Sequence, residues 1–269
     1  MDGLSGQLEH SALVDFHFRC LQGMYFSEYL PRENHILLFS DLVEDTYYNY
    51  VAHISGDLHR TLRETRTLFT ERDRVPALYI TPLSDLYTRD RRVPDGLSEW
   101  AVDAWMVLRD SGYLDDYRCP NYVDIEAVSQ DDRDAYVNVF EWAYSSEDPD
   151  DPYGALPDYY GRTLCRSFDT LPSGYQKQYV WAKIGGKPVG VGSMLWDEHI
   201  AGVYSVGTVG SYRNRGVGTS IMAHLVMKAR AEGVPNVMLQ TELGSPVERW
   251  YVEMGFTTVF TGTYYVEEV

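Results

Sequence analysis

The sequence predicts an α+β fold, in which a run of strands is followed by alternating helices and strands. Residues 179–209 contain three apolar, strand-like segments, and the pair Gly185-Gly186 is typical of a hairpin turn between the first two. After them, apolar residues recur at helical spacing from Ile221 to Ala229. A weak internal repeat indicates that a related arrangement occurs earlier in the chain.

Further signals define where the other elements of the last third begin and end. Gly233 and Pro235 predict the end of the helix, because glycine terminates helices readily and proline cannot continue them. Ser245, Pro246 and Glu248 predict a second helix, since they supply an N-cap, a first helical position and a capping box. The strands are expected at residues 179–195 (two strands), 199–209, 237–241 and 261–269.

The first 120 residues carry weaker signals. A polar helix is predicted from Asp57 to Arg72, followed by a strand that begins at Ala77. Residues 97–113, "LSEWAVDAWMVLRDSGY", predict another helix, because their apolar side chains lie on one helical stripe. That stripe comprises Trp100, Ala101, Ala104, Trp105 and Leu108.

The internal repeat is seen in two groups of matching residues. Three matches share an offset of 143 residues, and a fourth has an offset of 159, which would require an insertion in the first half. The matches are Gly112-Tyr113 with Gly255-Phe256, Tyr117 with Phe260, Tyr122-Val123 with Tyr265-Val266, and Val75-Pro76 with Val234-Pro235. The offset of 143 also places Leu108 opposite Tyr251. We therefore expect two related domains, residues 1–120 and 121–269, with the clearer pattern in the second.

Composition limits the class of partner. With 269 residues, 44% apolar content and a net charge of −17, the chain is expected to be a folded, acidic protein. Such a charge repels phosphate backbones, so nucleic acid is not expected as a partner. No apolar run is long enough for a membrane span, and the start of the sequence lacks the pattern of a signal peptide. Three cysteines without metal-ligand spacing favour reduced thiols, no bound metal and a cytoplasmic location.

The segment "RNRGVG", residues 213–218, lies between a predicted strand and a predicted helix. A Rossmann fingerprint would need glycine or alanine where Ile221 stands, and a P-loop would need Gly-Lys followed by Ser or Thr. The pattern that remains, Arg-x-x-Gly-x-Gly, brings backbone N–H groups and the positive end of a helix dipole to one place. It predicts a binding site for a diphosphate.

This motif and a second one resemble those of the GNAT superfamily of N-acyltransferases. The second motif is "YVEMGF", residues 251–256, which has the family's pattern Tyr-x-x-x-Gly-Phe at the end of a helix. The two motifs occur in the family's order and are separated by a helix and a strand. The resemblance covers residues 121–269. It implies tandem GNAT-like folds, each a mixed, mostly antiparallel sheet flanked by helices, with a degenerate first half.

The resemblance implies a site for acetyl-CoA or another acyl-CoA. Backbone amides of residues 213–219 would hold the pyrophosphate, and the pantetheine arm would pair with the strand before the loop. Tyr251 would donate a proton to the departing thiolate. The implied donor-binding residues are Val206, Thr208, Val209, Arg213, Asn214, Arg215, Gly216, Val217, Gly218 and Thr219.

The general base is not identified by the motifs. Many members of the family carry a glutamate on the strand that ends at the pyrophosphate loop, and the corresponding segment "AGVYSVGTV" contains none. Glu242, just beyond the next strand, is the candidate within reach, and a solvated loop position is its other interpretation. A chain of water molecules, or an amine that arrives deprotonated, could replace a base.

Residues 144–160 are acidic, interrupted by proline and rich in tyrosine, which predicts a loop or a short helix bracketed by loops. In the family the segment after the first helix lies over the acceptor, so the resemblance implies a site for a cationic amine here. A solvated loop without a role in binding is the alternative. The candidate substrate-binding residues are Glu147, Asp148, Asp150, Asp151 and Tyr153.

The sequence therefore predicts an acyl-CoA-dependent N-acyltransferase, most simply an N-acetyltransferase. In such an enzyme a small-molecule or peptide amine attacks the thioester directly. Two alternatives remain open: a non-catalytic module that binds acyl-CoA, and acyl transfer from a carrier-protein thioester. The missing base favours the module, whereas Tyr251 and the intact loop favour the enzyme. The first half lacks the Arg-x-x-Gly-x-Gly motif and is expected to be structural.

Overall fold

The computed structural model describes residues 9–87, 95–145 and 156–267. In these ranges the chain forms seven α-helices and eleven β-strands. The helices are α1 (His10–Cys20), α2 (Leu58–Glu71), α3 (Gly112–Asp116), α4 (Arg133–Tyr144), α5 (Asp158–Asp169), α6 (Val217–Ala231) and α7 (Pro246–Glu253). The strands are β1 (Glu28–Pro31), β2 (Ile36–Phe39), β3 (Tyr50–Ala52), β4 (Ala77–Ile80), β5 (Leu97–Leu108), β6 (Val123–Ala127), β7 (Gln176–Ile184), β8 (Lys187–Trp196), β9 (Ile200–Thr208), β10 (Asn236–Glu242) and β11 (Phe256–Glu267).

All strands of the described residues belong to one sheet, in the order β1-β2-β3-β4-β11-β5-β10-β9-β8-β7-β6. Two neighbouring pairs are parallel, β3 with β4 and β9 with β10, and the others are antiparallel. A crossover helix, α2 or α6, connects the strands of each parallel pair. The predicted α+β class is confirmed, as are tandem halves built on mixed, mostly antiparallel sheet. The two halves, however, share a single continuous sheet.

Exchanged strands join the two halves at the centre of this sheet. By sequence β5 belongs to the first half, but it pairs with β10 and β11 of the second half. In return, β11 pairs with β4 of the first half. Each half therefore supplies one long strand that completes the sheet of the other.

The helix predicted over residues 97–113 is wrong. Residues 97–108 form β5, and the short helix α3 follows at Gly112. The run from Ala104 to Val107 is buried on both faces of the sheet. A continuous apolar run of this length does not distinguish a buried strand from a helix by periodicity. Its aromatic and β-branched members, Trp105 and Val107, fit a strand better.

The repeat extends through the central elements with the offset of 159. The first residues of corresponding elements lie 159 positions apart, in the pairs Leu58 and Val217, Ala77 and Asn236, and Leu97 and Phe256. The offset of 143 is wrong, because Gly112 follows β5 whereas Gly255 precedes β11. Leu108 ends β5 and is therefore not the counterpart of Tyr251. With the offset of 159, that counterpart falls at residue 92, outside the described residues.

Helices cover both faces of the sheet. On one face α6 and α7 pack over a core that includes Ile221, Leu225 and Met254. On the other face α4 and α5 lie beside α1. The core beneath α1 is strongly aromatic and joins the two halves. Its aromatic members include Phe16, Phe18, Phe26, Tyr50, Tyr79, Trp105, Phe260 and Tyr264.

A chain of residues 121–269 alone would lack β5, the strand between β10 and β11. We expect this fragment to aggregate or form oligomers, because two long strand edges would lose their pairing partner. Size-exclusion chromatography and circular dichroism would measure the outcome. Co-expression with residues 1–120 is the control, since it restores β5 across a break that lies outside the strands. A folded, monomeric fragment 121–269 would contradict the importance of the exchange.

Candidate active site

A gap opens between the parallel strands β9 and β10. The two strands pair at three positions, the last of which joins Gly202 and Met238. Beyond that pair β9 continues to Thr208 and β10 to Glu242, and no further pair between them occurs in this part of the described chain. Backbone polar groups along the facing edges are therefore left to pair with an extended ligand.

A bulge in β9 shapes one edge of this gap. Ser205 has a φ of 55°, and the register between β8 and β9 shifts at the same place. Such a bulge bends the strand and increases its twist, which carries the end of β9 away from β10. Tyr144 of α4 donates a hydrogen bond to the carbonyl of Val206 at 3.0 Å. The predicted donor-binding residue Val206 thus lies at the gap, with its carbonyl engaged by α4.

The loop after β9 presents a helix N-terminus that has no side-chain cap. Asn214 and Gly216 both adopt the left-handed conformation, with φ of 60° and 76°. Gly216 is the N-cap of α6, and the first helical hydrogen bond runs from the N–H of Ser220 to its carbonyl at 2.9 Å. The N–H groups of residues 217–219 precede that bond and receive no partner within the helix. This arrangement suits an anionic diphosphate.

Gly218 lies against Trp250 of α7. A Cβ atom at position 218 would be 3.1 Å from the Trp250 ring and 3.7 Å from the Thr208 hydroxyl. A larger side chain would therefore enter the mouth of the gap, between the end of β9 and α7. Gly216 has a different constraint, because its φ is positive and a Cβ there would lie 2.8 Å from the Tyr117 hydroxyl.

The two arginines of the loop make different contacts. Arg213 donates hydrogen bonds to the carbonyls of Thr208 and Ala143, each at 3.2 Å. These bonds hold the loop against β9 and against the C-terminal end of α4. Arg215 is exposed, and its guanidinium lies 5.4 Å from the centre of the Tyr212 ring. Arg213 therefore positions the loop, while Arg215 places a positive charge beside it.

The corresponding helix of the first half is capped by its own carboxylate. Asp57 occupies the position that matches Gly216 at the offset of 159, and it is the N-cap of α2. Its carboxylate accepts a hydrogen bond from the N–H of Arg60 at 3.1 Å. Hydrogen bonds from the first turn, chiefly that of Arg60, lower the pKa of Asp57. A fixed negative charge at this end of α2 repels a second anion, so α2 is a poor site for a phosphate.

Tyr251 lies on α7 beside the loop. It is 7% exposed, and its ring centre lies 4.9 Å from that of Trp250 and 5.8 Å from that of Phe256. Trp250, the residue before Tyr251, also lies against Gly218 in the first turn of α6. The predicted acid and the predicted diphosphate loop are therefore neighbours in the fold.

Gly255, the glycine of the second motif, accommodates the chain that follows β5. Its φ is 93°, and a Cβ there would lie 1.5 Å from the carbonyl oxygen of Asp110. The carbonyl of Gly255 accepts hydrogen bonds from the N–H groups of Arg109 and Asp110 at 3.0 and 3.1 Å. Only glycine permits this close approach. Gly255 therefore also binds the segment that directly follows the exchanged strand β5.

The remaining predicted site residues lie on β10, at the end of β9, and in a segment outside the described residues. Glu242 ends β10, is exposed, and pairs in register with Asp103 of β5. Thr208 and Val209 lie where β9 meets the loop. The predicted acceptor residues lie outside the described residues; they are Glu147, Asp148, Asp150, Asp151 and Tyr153.

The structure adds a carboxylate that the sequence interpretation missed. Asp103 lies within β5, and its Oδ2 accepts a hydrogen bond from the Tyr79 hydroxyl at 3.2 Å. Burial raises the pKa of Asp103 to about 7, although hydrogen bonds from Tyr264 and Tyr79 oppose that rise. The position was overlooked because residues 97–113 were assigned to a helix. In a strand, Asp103 shares a face with Trp105, and that alternation was the available signal.

With this geometry in place, comparison with known proteins gives a family match for part of the chain. Residues 133–256 match the model of the acetyltransferase (GNAT) family. This segment of the chain is similar to GNAT acetyltransferases. The matched range contains both motifs, the gap and the uncapped start of α6. The match supports acyl transfer as the general kind of activity.

Solved structures share the GNAT architecture over nearly the whole chain. A conserved protein of unknown function from Staphylococcus epidermidis has a TM-score of 0.68 at 13% identity and covers 94% of this chain and 98% of its own. A GCN5-related N-acetyltransferase from Kribbella flavida has a TM-score of 0.61 at 17% identity and covers 90% of each chain. A tandem GNAT protein from the clavulanic acid biosynthesis pathway has a TM-score of 0.57 at 12% identity and covers 86% of this chain and 77% of its own. These likenesses establish the fold.

No curated protein sequence matches this chain. Within the described ranges, no helix combines the length and the apolar character that a membrane crossing demands.

Proposed function

We propose that the protein is an acyl-CoA-dependent N-acyltransferase whose donor site lies in the C-terminal half. The observation that carries this proposal is the uncapped N-terminus of α6 at the mouth of the gap between β9 and β10. A diphosphate would accept hydrogen bonds from the N–H groups of residues 217–219, and the exposed Arg215 would add a positive charge. A linear arm attached to that diphosphate would extend into the gap.

Acetyl-CoA is the simplest donor that fits this arrangement, and it supplies an activated acyl group as a thioester. Along the gap, the backbone of Val206, Thr208 and Val209 would pair with the amides of the pantetheine arm. Asn214 shapes the loop through its left-handed backbone. A longer acyl chain, or a carrier-protein thioester with the same pantetheine arm, would use the same edge of β9.

Tyr251 is proposed as the general acid. Its ring is fixed by Trp250 and Phe256, and it adjoins the loop that would hold the donor. A phenol in this place can give a proton to the departing sulfur, so that the thiol rather than the thiolate leaves. The rest of the acceleration would come from holding the amine and the thioester in contact.

The proposed acceptor is the amine of a small molecule or a peptide. The acidic segment that contains Glu147, Asp148, Asp150, Asp151 and Tyr153 would attract a cationic amine toward the site. Salt should weaken that attraction, because solvated charges are screened. A cytoplasmic location and the domain limits 1–120 and 121–269 belong to the same proposal. Since β5 lies beside β10, residues 97–108 complete the sheet of the second domain.

Isothermal titration should show one CoA bound per chain. The reason is that α6 offers free N–H groups, whereas the carboxylate of Asp57 already caps α2. A stoichiometry of two would contradict the assignment of a structural role to the first half.

The test of the proposed function is thiol release from acetyl-CoA in the presence of amines. A thiol-reactive dye would follow CoA release with n-butylamine, 1,4-diaminobutane, phenethylamine, a lysine-containing peptide and aniline. We expect turnover with at least one amine, and mass spectrometry should find the matching amide. Tight donor binding without turnover, for acyl chains of several lengths, would favour the non-catalytic module.

A further inference from the structure

Asp103 lies on the face of the sheet that α1 covers. Protein surrounds its carboxylate, yet part of its surface remains accessible. Tyr48 and Tyr204 are likewise surrounded by protein and partly accessible. Ser205 and Gln240 are also partly accessible. Tyr204 and Ser205 belong to β9, and Gln240 belongs to β10, on either side of the gap. Partly accessible side chains therefore occur both at Asp103 and on the two strands that border the gap.

Contacts made by Tyr25 connect the bulge of β9 with the tyrosines near Asp103. The Tyr25 hydroxyl is hydrogen-bonded to Ser205, and the rings of Tyr25 and Tyr48 stack with centres 4.9 Å apart. Burial chiefly raises the pKa of Tyr48, and smaller contributions come from Tyr25, Asp45, Tyr50 and, last, the charge of Asp103. On the sheet itself, β5 and β10 are neighbours, so Asp103 lies about 5 Å from the strand that borders the gap.

The two halves of the repeat carry different residues at one equivalent position in the centre of the sheet. This difference makes room for the contacts that hold Asp103. Its counterpart at the offset of 159 is Gly262, and the two residues face each other in register. A Cβ at position 262 would lie 2.1 Å from the Tyr79 hydroxyl. The glycine thus gives Tyr79 the space from which it bonds to Asp103. Trp105 fixes that hydroxyl with a hydrogen bond of 2.6 Å.

Tyrosine rings surround the carboxylate, and we call Tyr48, Tyr50, Tyr79 and Tyr264 the tyrosine cluster. The rings of Tyr79 and Tyr264 stack at 4.2 Å, and Tyr50 lies 5.1 Å from Tyr79 and 5.5 Å from Tyr264. The hydroxyls of Tyr79 and Tyr264 bond to the carboxylate, and an ammonium group that reached Asp103 would pair with its charge beside these tyrosines.

One fully buried polar atom of the tyrosine cluster has no hydrogen-bond partner among the described residues. This atom is the Tyr50 hydroxyl oxygen. Its ring lies against the two tyrosines that bond to Asp103, and the charge that acts on its hydroxyl is that of Asp103. A buried hydroxyl without a partner costs free energy. A ligand that donates a hydrogen bond beside Asp103 would satisfy it.

We propose that Asp103 and the tyrosine cluster form the acceptor site for a primary alkylammonium group, and that Asp103 is the base that deprotonates it. This inference rests on the proposed function and names its acceptor class. The ammonium would pair with the carboxylate, with the tyrosine rings around it and with the Tyr50 hydroxyl. An apolar body fits the aromatic lining better than a second charge does.

The proton balance of the reaction is complete with these groups. Asp103 takes one proton from R–NH3⁺, which leaves a nitrogen lone pair free to attack the thioester carbonyl. The new C–N bond forms, the C–S bond breaks, and the sulfur takes a proton from Tyr251. The nitrogen then gives up its second proton, which restores Tyr251, and Asp103 returns its own proton to solvent. The products are the amide, the free thiol and one released proton.

Asp103 should produce an acidic limb in the pH profile. Its raised pKa, about 7, means that the carboxylate gains its charge as the pH rises through neutrality. The rate should therefore fall below pH 7 as Asp103 becomes protonated. The charge of Glu242 helps to raise this pKa, after burial, whereas hydrogen bonds from Tyr264 and Tyr79 oppose it. The titratable groups that face Asp103 are Tyr48, Tyr50, Tyr79, Tyr264 and Glu242.

The experiment compares Asp103→Asn with the parent enzyme. We expect kcat/KM for n-butylamine to fall by roughly 10²- to 10⁴-fold, the range typical of an acid or base, and the limb near pH 7 to disappear. Affinity for CoA, measured by titration, should not change. Tyr50→Phe should raise the KM for n-butylamine by about 3- to 10-fold through the loss of one hydrogen bond.

Two matched variants sharpen the test. Asp45→Asn removes another partly buried carboxylate, which accepts hydrogen bonds from the hydroxyls of Tyr160 and Tyr159. It should leave the pH profile unchanged. Glu242→Gln removes the alternative base and should shift the limb to lower pH without abolishing it. If Glu242→Gln lost the limb instead, Asp103 would not be the base.

A binding measurement separates the site from the chemistry. Quenching of tryptophan fluorescence by n-butylammonium chloride, read with CoA bound, should saturate in the parent and weaken in Asp103→Asn. Thermal unfolding verifies the fold: because folding raises the pKa of Asp103, its ionised form destabilises the protein above pH 7, and Asp103→Asn should unfold no earlier there. Parental kinetics in Asp103→Asn would overturn the inference and leave the proposed function intact. Absence of turnover in the parent with every amine would instead contradict the proposed function.

Discussion

The variant Gly218→Val should lose donor binding while it remains folded. A side chain at position 218 enters the space between Trp250 and the Thr208 hydroxyl, at the mouth of the gap. It would also separate the N–H groups of residues 217–219 from a diphosphate. A hydrogen bond to a charged group contributes about 1.5–3 kcal/mol, so the loss of two weakens binding by on the order of 100-fold or more. Calorimetric titration with CoA measures the effect.

The internal repeat offers a matched control for this substitution. His59 occupies the equivalent position of α2 at the offset of 159 and is exposed. His59→Val places the same β-branched side chain at the same helical position of the first half, where no donor is expected. Its affinity for CoA should equal that of the parent. If Gly218→Val bound CoA normally, the diphosphate site would not be at the start of α6.

The variant Tyr251→Phe should lower kcat by roughly 10²- to 10⁴-fold, the range typical of an acid or base. The ring would still pack against Trp250 and Phe256, so the loop and the fold should be preserved. Because only the proton donor is removed, the affinity for CoA should stay within about twofold. Stopped-flow detection of thiol release measures the chemical step directly.

Tyr179→Phe serves as the control for the loss of a buried hydroxyl. Tyr179 is 6% exposed and shares a hydrogen bond of 2.7 Å with the Ser167 hydroxyl, away from the gap. We expect a stability loss of about 1 kcal/mol and no change in kcat. An equal rate loss in both variants would mean that Tyr251 acts only through packing, and full activity of Tyr251→Phe would assign the proton to water.

The second half could be predicted well because its signals are local. Ser245, Pro246 and Glu248 mark the start of α7 through cap chemistry that depends on adjacent residues, and the structure places that helix at Pro246–Glu253. The loop at residues 213–218 is recognisable from its Arg-x-x-Gly-x-Gly spacing, and the positive φ of Gly216 gives that glycine a local backbone reason. Such features require no knowledge of distant contacts.

The centre of the sheet could not be predicted, because its identity depends on pairing between residues far apart in sequence. Periodicity alone does not decide between a helix and a buried strand for the run from Ala104 to Val107, and only its pairing with β10 and β11 settles the question. The proposed general base, Asp103, could not be predicted for the same reason. Asp103 appears as a polar interruption in a helix, and only the strand places it beside Tyr79 and across from Gly262. The residues around Asp103 are thus brought together by the pairing of distant strands.

The strand exchange also sets when this chain can fold during synthesis. β5 emerges from the ribosome long before β10 and β11, the two strands between which it lies. At about 5–20 residues per second, the wait is on the order of ten seconds. During that interval both edges of an apolar twelve-residue strand are unpaired, which favours association with other chains. We expect nascent chains to depend on chaperone binding over residues 97–108 until β11 leaves the exit tunnel.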